Sequence, residues 1–164
     1  MHHLQRITTE YIENEDRIRL TGKTADDAVL CLWLTRRLAD RLTAALFDIL
    51  VPAQQAPGAD IFAQFAQQRA ELEHTPQPPV RPPEEGPAAH LVQEVNIARL
   101  DGAIRLVLRE SGQDIAFIAL TDDEMRQWLA IVRQAYRAGE WPMHNWPDWL
   151  VETAAPSASV RQLN

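Results

Sequence analysis

The sequence predicts an α+β fold: a β-β-β-α unit written twice in tandem, each unit an antiparallel meander with one helix, the two joined by a proline-rich linker. Three observations predict it. Residues 18–50 and 104–136 repeat one order 86 positions apart, a strand-like run (IRLTG, IRLVLRE), a polar turn, a dense apolar run (AVLCLWLT, DIAFIALT) and an amphipathic stretch (RRLADRLTAALFDIL, DDEMRQWLAIVRQAY). Aligned without gaps, Ile18/Ile104, Arg19/Arg105, Leu20/Leu106, Leu34/Leu120, Thr35/Thr121 and Ala44/Ala130 are identical. Between the copies, residues 74–87 hold six of the eleven prolines, which no packed element accommodates.

The first unit spans residues 1–52. Residues 4–14 carry β-branched and aromatic side chains and read as a strand. From Arg17 to Thr21 the chain alternates, with Ile18 and Leu20 on one face and Arg17, Arg19 and Thr21 on the other; Gly22–Asp27 reads as a turn. Val29–Leu34 is apolar on both faces, which a strand tolerates when both are covered. Thr35 is placed as an N-cap for a helix whose stripe is Leu38, Leu42, Ala45, Leu46 and Ile49, although Arg36 and Arg37 stand at the positive end of its dipole. Pro52 and the Ala-Pro-Gly at 56–58 end it.

Residues 53–89 form the linker region. Within it, 60–73 is a weaker amphipathic helix with Ile61, Phe65 and Leu72 along one side, and 74–87 is an extended spacer. The PPVRPP run is a tether between the units, or else a ligand for an aromatic-grooved module. The second unit, 90–139, opens with a strand at 90–100, turns at Asp101–Gly102 and continues through strands at 103–110 and 115–120. Thr121 with Glu124 is a capping box, Met125, Trp128, Leu129, Val132 and Tyr136 form the helical stripe, and Gly139 is the stop. Residues 140–151 form a strap, because Pro142 and Pro147 bar a regular helix, and 152–164 reads as a disordered tail.

Composition excludes several functions. A net charge of −7 with a single lysine, Lys23, argues against a ligand held by its phosphates. Cys31 stands alone, so no disulfide framework forms, and inside an apolar strand it reads as a small buried hydrophobe. No apolar run is long enough to span a bilayer and no secretory h-region opens the chain, so a cytoplasmic location without membrane contact is expected. Phosphate loops, dinucleotide fingerprints, nucleophile elbows and zinc-binding spacings are absent from the sequence, and the carboxylate pairs Asp26–Asp27, Glu84–Glu85 and Asp122–Asp123 are sequence neighbours that point apart. His3, third from a free amine, has chelating chemistry on paper but reads as part of a loose tip. No enzyme activity, cofactor or metal is expected.

The remaining candidates are surfaces. Trp141, Trp146 and Trp149 crowd the strap WPMHNWPDW, and Trp33 and Phe117 stand on one face of the doubly apolar strands. These five are candidate partner-binding residues, since tryptophan is enriched at energetic centres of interfaces, and equally they are candidates for filling the chain's own groove. The reading ranked first is a non-enzymatic cytosolic adaptor or assembly factor acting on a protein partner, with a homodimer through the doubly apolar strands favoured slightly. The alternative is a single-stranded nucleic-acid-binding module using Arg19, Arg105 and Arg109 on outward strand positions. On this ranking a fluorescent single-stranded oligonucleotide does not bind at physiological salt. Tight binding there, with a salt slope flattened by Arg105→Ala, would put nucleic acid first.

Overall fold

These alternating and periodic runs become the elements of a computed structural model that describes residues 1–51, 57–84, 86 and 89–151. Strands β1 (His2–Ile12), β2 (Arg17–Thr24) and β3 (Val29–Thr35) lead into helix α1 (Arg36–Leu50), and α2 (Ala59–Glu73) follows. Strands β4 (Ala89–Leu91), β5 (Glu94–Leu100), β6 (Ala103–Glu110) and β7 (Gln113–Leu120) lead into α3 (Asp122–Ala138) and the single turn α4 (Asp148–Val151). The fold is mixed α+β. Among the described residues it comprises four helices and a seven-stranded sheet in the order β4-β3-β2-β1-β7-β6-β5. The expected tail at 152–164 and the expected stop at Pro52 lie outside the described residues.

Helices α1 and α3 begin where a threonine satisfies otherwise unpaired first-turn amides. Thr35 Oγ1 accepts from the Leu38 N–H at 3.3 Å. Thr121 Oγ1 accepts from the Glu124 N–H at 3.3 Å while Glu124 Oε2 accepts from the Thr121 N–H at 2.8 Å, the reciprocal pair of a capping box.

β1–β2–β3 and β5–β6–β7 are antiparallel, as expected, but two parallel pairings join them. Cys31 of β3 lies beside Ala89 of β4, and Phe117 of β7 beside His3 of β1. The expected strand at 90–100 is therefore broken. The Val92 N–H donates to the Trp33 carbonyl at 3.0 Å, and the next residue, Gln93, donates to the Arg109 carbonyl at 2.9 Å. Within one peptide the chain leaves β3 and joins β6, so the two ends of the strand order are consecutive in sequence. Glu110 secures the crossing, with Oε1 accepting from the Leu91 N–H at 2.9 Å and Oε2 2.7 Å from His90 Nδ1. β1 behaves alike: His2 and His3 pair with β7, and from Leu4 onward the strand pairs with β2 after an irregularity between Leu4 and Arg6. His2 and His3 are thus strand residues rather than a loose tip.

One sheet face builds the core. Ile18, Leu20, Leu30, Leu32 and Leu34 are buried together with Ile104, Leu106, Leu108, Ala116 and Ile118, against Ala39, Leu42 and Leu46 of α1 and Met125, Leu129 and Val132 of α3. α3 is pinned to β1 where Trp128 Nε1 donates to Thr9 Oγ1 at 2.9 Å. Gly22 belongs to β2, not to the turn that its type suggested, because a Cβ there would lie 2.8 Å from Leu4 Cδ1. α3 stops as expected at Gly139, its C-cap, which is right-handed at φ −85°, and Glu140 takes the left-handed position at φ +52°. What demands glycine at 139 is Tyr11, whose Cε2 would lie 2.7 Å from an added Cβ.

The strap closes over this core. Trp141 meets Tyr11 and Tyr136 edge-on at 5.7 and 5.1 Å, and Trp146 meets Phe47 and Tyr136 at 5.1 and 5.0 Å. Asp16 ties it to the β1–β2 turn: Oδ1 accepts from Trp141 Nε1 at 2.8 Å and from Tyr11 OH at 2.9 Å. Those hydrogen bonds, the Trp141 one foremost, hold the Asp16 carboxyl below the usual aspartate range. A lowered folded-state pKa contributes stability above the unfolded-state value, near 3.9, and loses it as pH falls through the folded value. Asp16→Asn is therefore expected to melt below the wild type at neutral pH, with the gap narrowing as acid below the ordinary aspartate range protonates Asp16. Melting curves from neutral pH into that acid range check it, and a gap that stays constant would refute it.

Candidate functional site

The sheet face opposite the core carries five of the eight residues singled out in the sequence. Trp33 and Phe117 are half-buried there beside arginines that stack on them. The Arg19 guanidinium sits 5.8 Å from the Trp33 ring centre and donates to Glu10 Oε2 at 2.9 Å. Arg105 sits 4.3 Å over the Phe117 ring, and His3 stacks on that ring at 4.5 Å with the planes 3° apart. β1 and β6 flank β7, so the imidazole and the guanidinium approach Phe117 from neighbouring strands on either side. Arg109 is spent within the chain, on Glu94 at 2.9 Å, Asp114 at 2.8 Å and the Gly112 carbonyl at 2.7 Å. The other three, Trp141, Trp146 and Trp149, are buried in the core with none of the exposure a partner would need.

The proline-rich segment covers part of the same sheet face. The Val80 N–H donates to Thr8 Oγ1 at 2.8 Å, and Val80 is buried. Thr8 lies opposite Thr21, and Thr21 opposite Cys31, both also buried. Burial raises the pKa of the Cys31 thiol, so it stays protonated and acts as packing.

The sequence reading passed over the surface that stands out most. α2 buries the side made of Ala63, Gln67 and Ala70 and turns its large apolar side chains outward. Ile61 is 58%, Phe62 76%, Phe65 64% and Leu72 86% exposed. Polar contacts hold it this way round. Gln67 Nε2 donates to the Arg126 carbonyl at 2.9 Å, Gln127 Nε2 to the Ala70 carbonyl at 2.9 Å, and Arg69 pairs with Asp123 at 3.0 Å. Small residues on the buried side admit α3 closely. With about 150–250 Å² for an aromatic side chain and somewhat less for an aliphatic one, the exposed apolar area is roughly 500 Å². That is the upper end of what a soluble monomer leaves uncovered.

At the N-terminal half of α2 this surface runs into an open groove of ≈ 440 Å³, walled by Leu50, Val51, Pro57, Phe62, Ala66 and their neighbours, with Arg126 of α3 among them. Arg126 is 8% exposed, its Nη1 has no hydrogen-bond partner among the described residues, and its guanidinium lies 5.4 Å from the Trp149 ring centre. Burial lowers its pKa, yet a guanidinium keeps its proton in any protein environment. Arg133, seven residues on and equally buried, is treated differently: it donates to the Leu150 carbonyl and to Glu71 Oε2, the latter at 3.1 Å. The sequence offered a signal for this pair, two arginines at heptad spacing on the side of α3 that also carries Leu129 and Ala130.

An enclosed charge without a contact partner costs more than an apolar side chain of similar size. Arg126→Met is therefore expected to stabilise the fold, by about 1 kcal/mol or roughly 2–4 °C in melting temperature after losing the stack on Trp149. Thermal denaturation measures it, and a fall in melting temperature would show that Arg126 is satisfied in the folded chain.

Among the described residues no cluster of three or more His, Cys, Asp or Glu could hold a metal ion, and no helix is long and apolar enough to cross a membrane. Comparison with family models, with curated proteins and with solved structures finds no match to this chain.

Proposed function

We propose that the protein is a non-enzymatic cytosolic adaptor or assembly factor acting through protein–protein contacts, and that its partner-binding surface is the outward side of α2. The observation that carries this reading is the inverted helix: a 15-residue element that packs through alanines and a glutamine and presents two phenylalanines, an isoleucine and a leucine to solvent. An apolar face of that size is an interaction site or an aggregation hazard. Trp33 and Phe117 belong to a second, smaller surface, where His3, Arg19 and Arg105 already cover much of each ring.

The nucleic-acid alternative keeps one supporting feature, the stack of His3, Phe117 and Arg105, on which a base could extend. Against it stand the ion pairs that occupy Arg19 and Arg109 and the net charge of −7. We also propose that the two β-β-β-α runs are copies of one unit. In support, Ile18 faces Leu34 and Ile104 faces Leu120, and Cys31 flanks Ala89 as Phe117 flanks His3, each correspondence being a shift of 86 positions.

Phe65→Glu tests the α2 reading, because a side chain this exposed can change without cost to the fold. The variant is expected to melt within a few degrees of the wild type and to lose a protein that co-purifies with the wild type from the source cell. A Lys23→Ala control, on β2 and ion-paired with Asp27, should retain it. If all three forms retain the same proteins, α2 is not the binding surface.

A further inference from the structure

We infer that the groove beside α2 receives a carboxylate side chain from an amphipathic helix of the partner, with Arg126 as its receptor; this rests on the reading of α2 as the partner-binding surface. The chemistry of the groove selects the ligand. Its walls are apolar, through Leu50, Val51, Pro57 and Phe62, and among the described residues its one charge is a guanidinium whose Nη1 has no acceptor. A guanidinium is a planar fork of donors that fits a carboxylate in two parallel hydrogen bonds. The chain's nearby acids are committed elsewhere. Asp122 pairs with Arg99 at 2.8 Å and Asp123 with Arg69 at 3.0 Å, and Glu71 reaches across to Arg133. Asp122 and Asp123 supply a negative field that makes the buried cation tolerable without filling its hydrogen-bonding positions.

The apolar stripe decides what carries the carboxylate. From Ile61 to Leu72 it runs roughly 16 Å along the helix. A small carboxylate seated at Arg126 would leave Phe65 and Leu72 as exposed as before. A helix laid along α2 covers the stripe with side chains at i, i+3, i+4 and i+7 and reaches Arg126 with one acid near its end. Two copies at −7 each repel. One docked helix that carries an acid meets the apolar stripe and the guanidinium together.

The probe is a phage-displayed library of 18-residue peptides with apolar residues fixed at helical spacing and every residue allowed elsewhere, selected on the intact chain. The selected peptides are expected to carry one Asp or Glu at a common position. As synthetic fluorescent peptides, their Glu→Gln forms should bind the wild type about tenfold or more weakly, and Arg126→Met should abolish that difference while Arg126→Lys keeps part of it. Phe65→Ala should weaken both forms. Peptides without a shared acid, or a Glu-over-Gln preference that survives Arg126→Met, overturn the inference and leave the α2 reading standing. Failure to select any peptide, or indifference to Phe65→Ala, overturns the α2 reading as well. A dimer by light scattering that Phe65→Glu dissociates assigns the face to a second copy, and displacement of the peptide by micromolar decanoate assigns the groove to small carboxylates; either result also overturns the inference.

Discussion

The fold depends on a single peptide, Val92–Gln93, whose two N–H groups serve different strands. Val92 completes the ladder on β3 and Gln93 starts the one on β6. Without that switch an unbroken strand would cover one of β3 and β6 and leave the other with an unpaired edge, the feature that makes exposed sheets prone to pairing with other chains. With it, β4 lies on the far side of β3, β7 lies beside β1, and α3 packs onto β1, where Trp128 and Thr9 meet. Glu110 holds the turning point from the end of β6, through the Leu91 amide and the His90 ring. Its carboxyl pKa is lowered chiefly by the hydrogen bond with His90, so the contact that ties the crossing is weakened once acid protonates Glu110.

Local chemistry made much of this legible. The alternation of Ile18, Leu20 and Ile104, Leu106, Leu108 specified which strand faces turn inward, and Thr35, Thr121 and Glu124 specified where the helices start. These signals act over three or four residues, so a single sequence contains them whole. Pairing partners are another matter. Nothing in HLVQEVNIARL marks residue 92 as the place where one neighbour is exchanged for another, because both neighbours are contributed by residues far away in sequence. The glycines divide on the same line. Gly139 does stand at the end of α3, as its type suggested, whereas Gly22 is a strand residue, and both are crowded by a distant side chain, Tyr11 and Leu4, close to where a Cβ would sit.

α2 shows how helical periodicity can be read correctly and its burial reversed. Ile61, Phe65 and Leu72 do share one side, and the usual inference is that such a side faces the core. The opposite side carries Ala63, Gln67 and Ala70, and α3 offers it polar groups: the Arg126 carbonyl, Gln127 and, through Glu71, Arg133. Hydrogen bonds that must be made by enclosed groups outweigh an apolar stripe whose burial is optional in a monomer. The strap was ambiguous in the other direction. Three tryptophans within nine residues suit an interface, but here their rings fill the space between α1 and α3, and the Trp141 indole finds its acceptor in Asp16.

The two buried arginines of α3 separate architecture from function within one helix face. Arg133 bridges three helices, since Glu71 belongs to α2 and Leu150 to α4. Its role follows from the fold alone. Arg126 occupies an equivalent position one heptad earlier, yet α2 gives it no acid and α4 gives it only the face of Trp149. Stability alone would favour methionine or leucine at that place, because the ring of Trp149 and the field of Asp122 and Asp123 leave Nη1 without a hydrogen bond among the described residues. Departures from local consistency of this kind concentrate where a protein has something to bind. The departure here adjoins a second one, the outward aromatic side of α2, with Phe62 common to both. A single ligand with an apolar body and one negative charge resolves the two together, which is the physical reason for treating the helix and the groove as one surface.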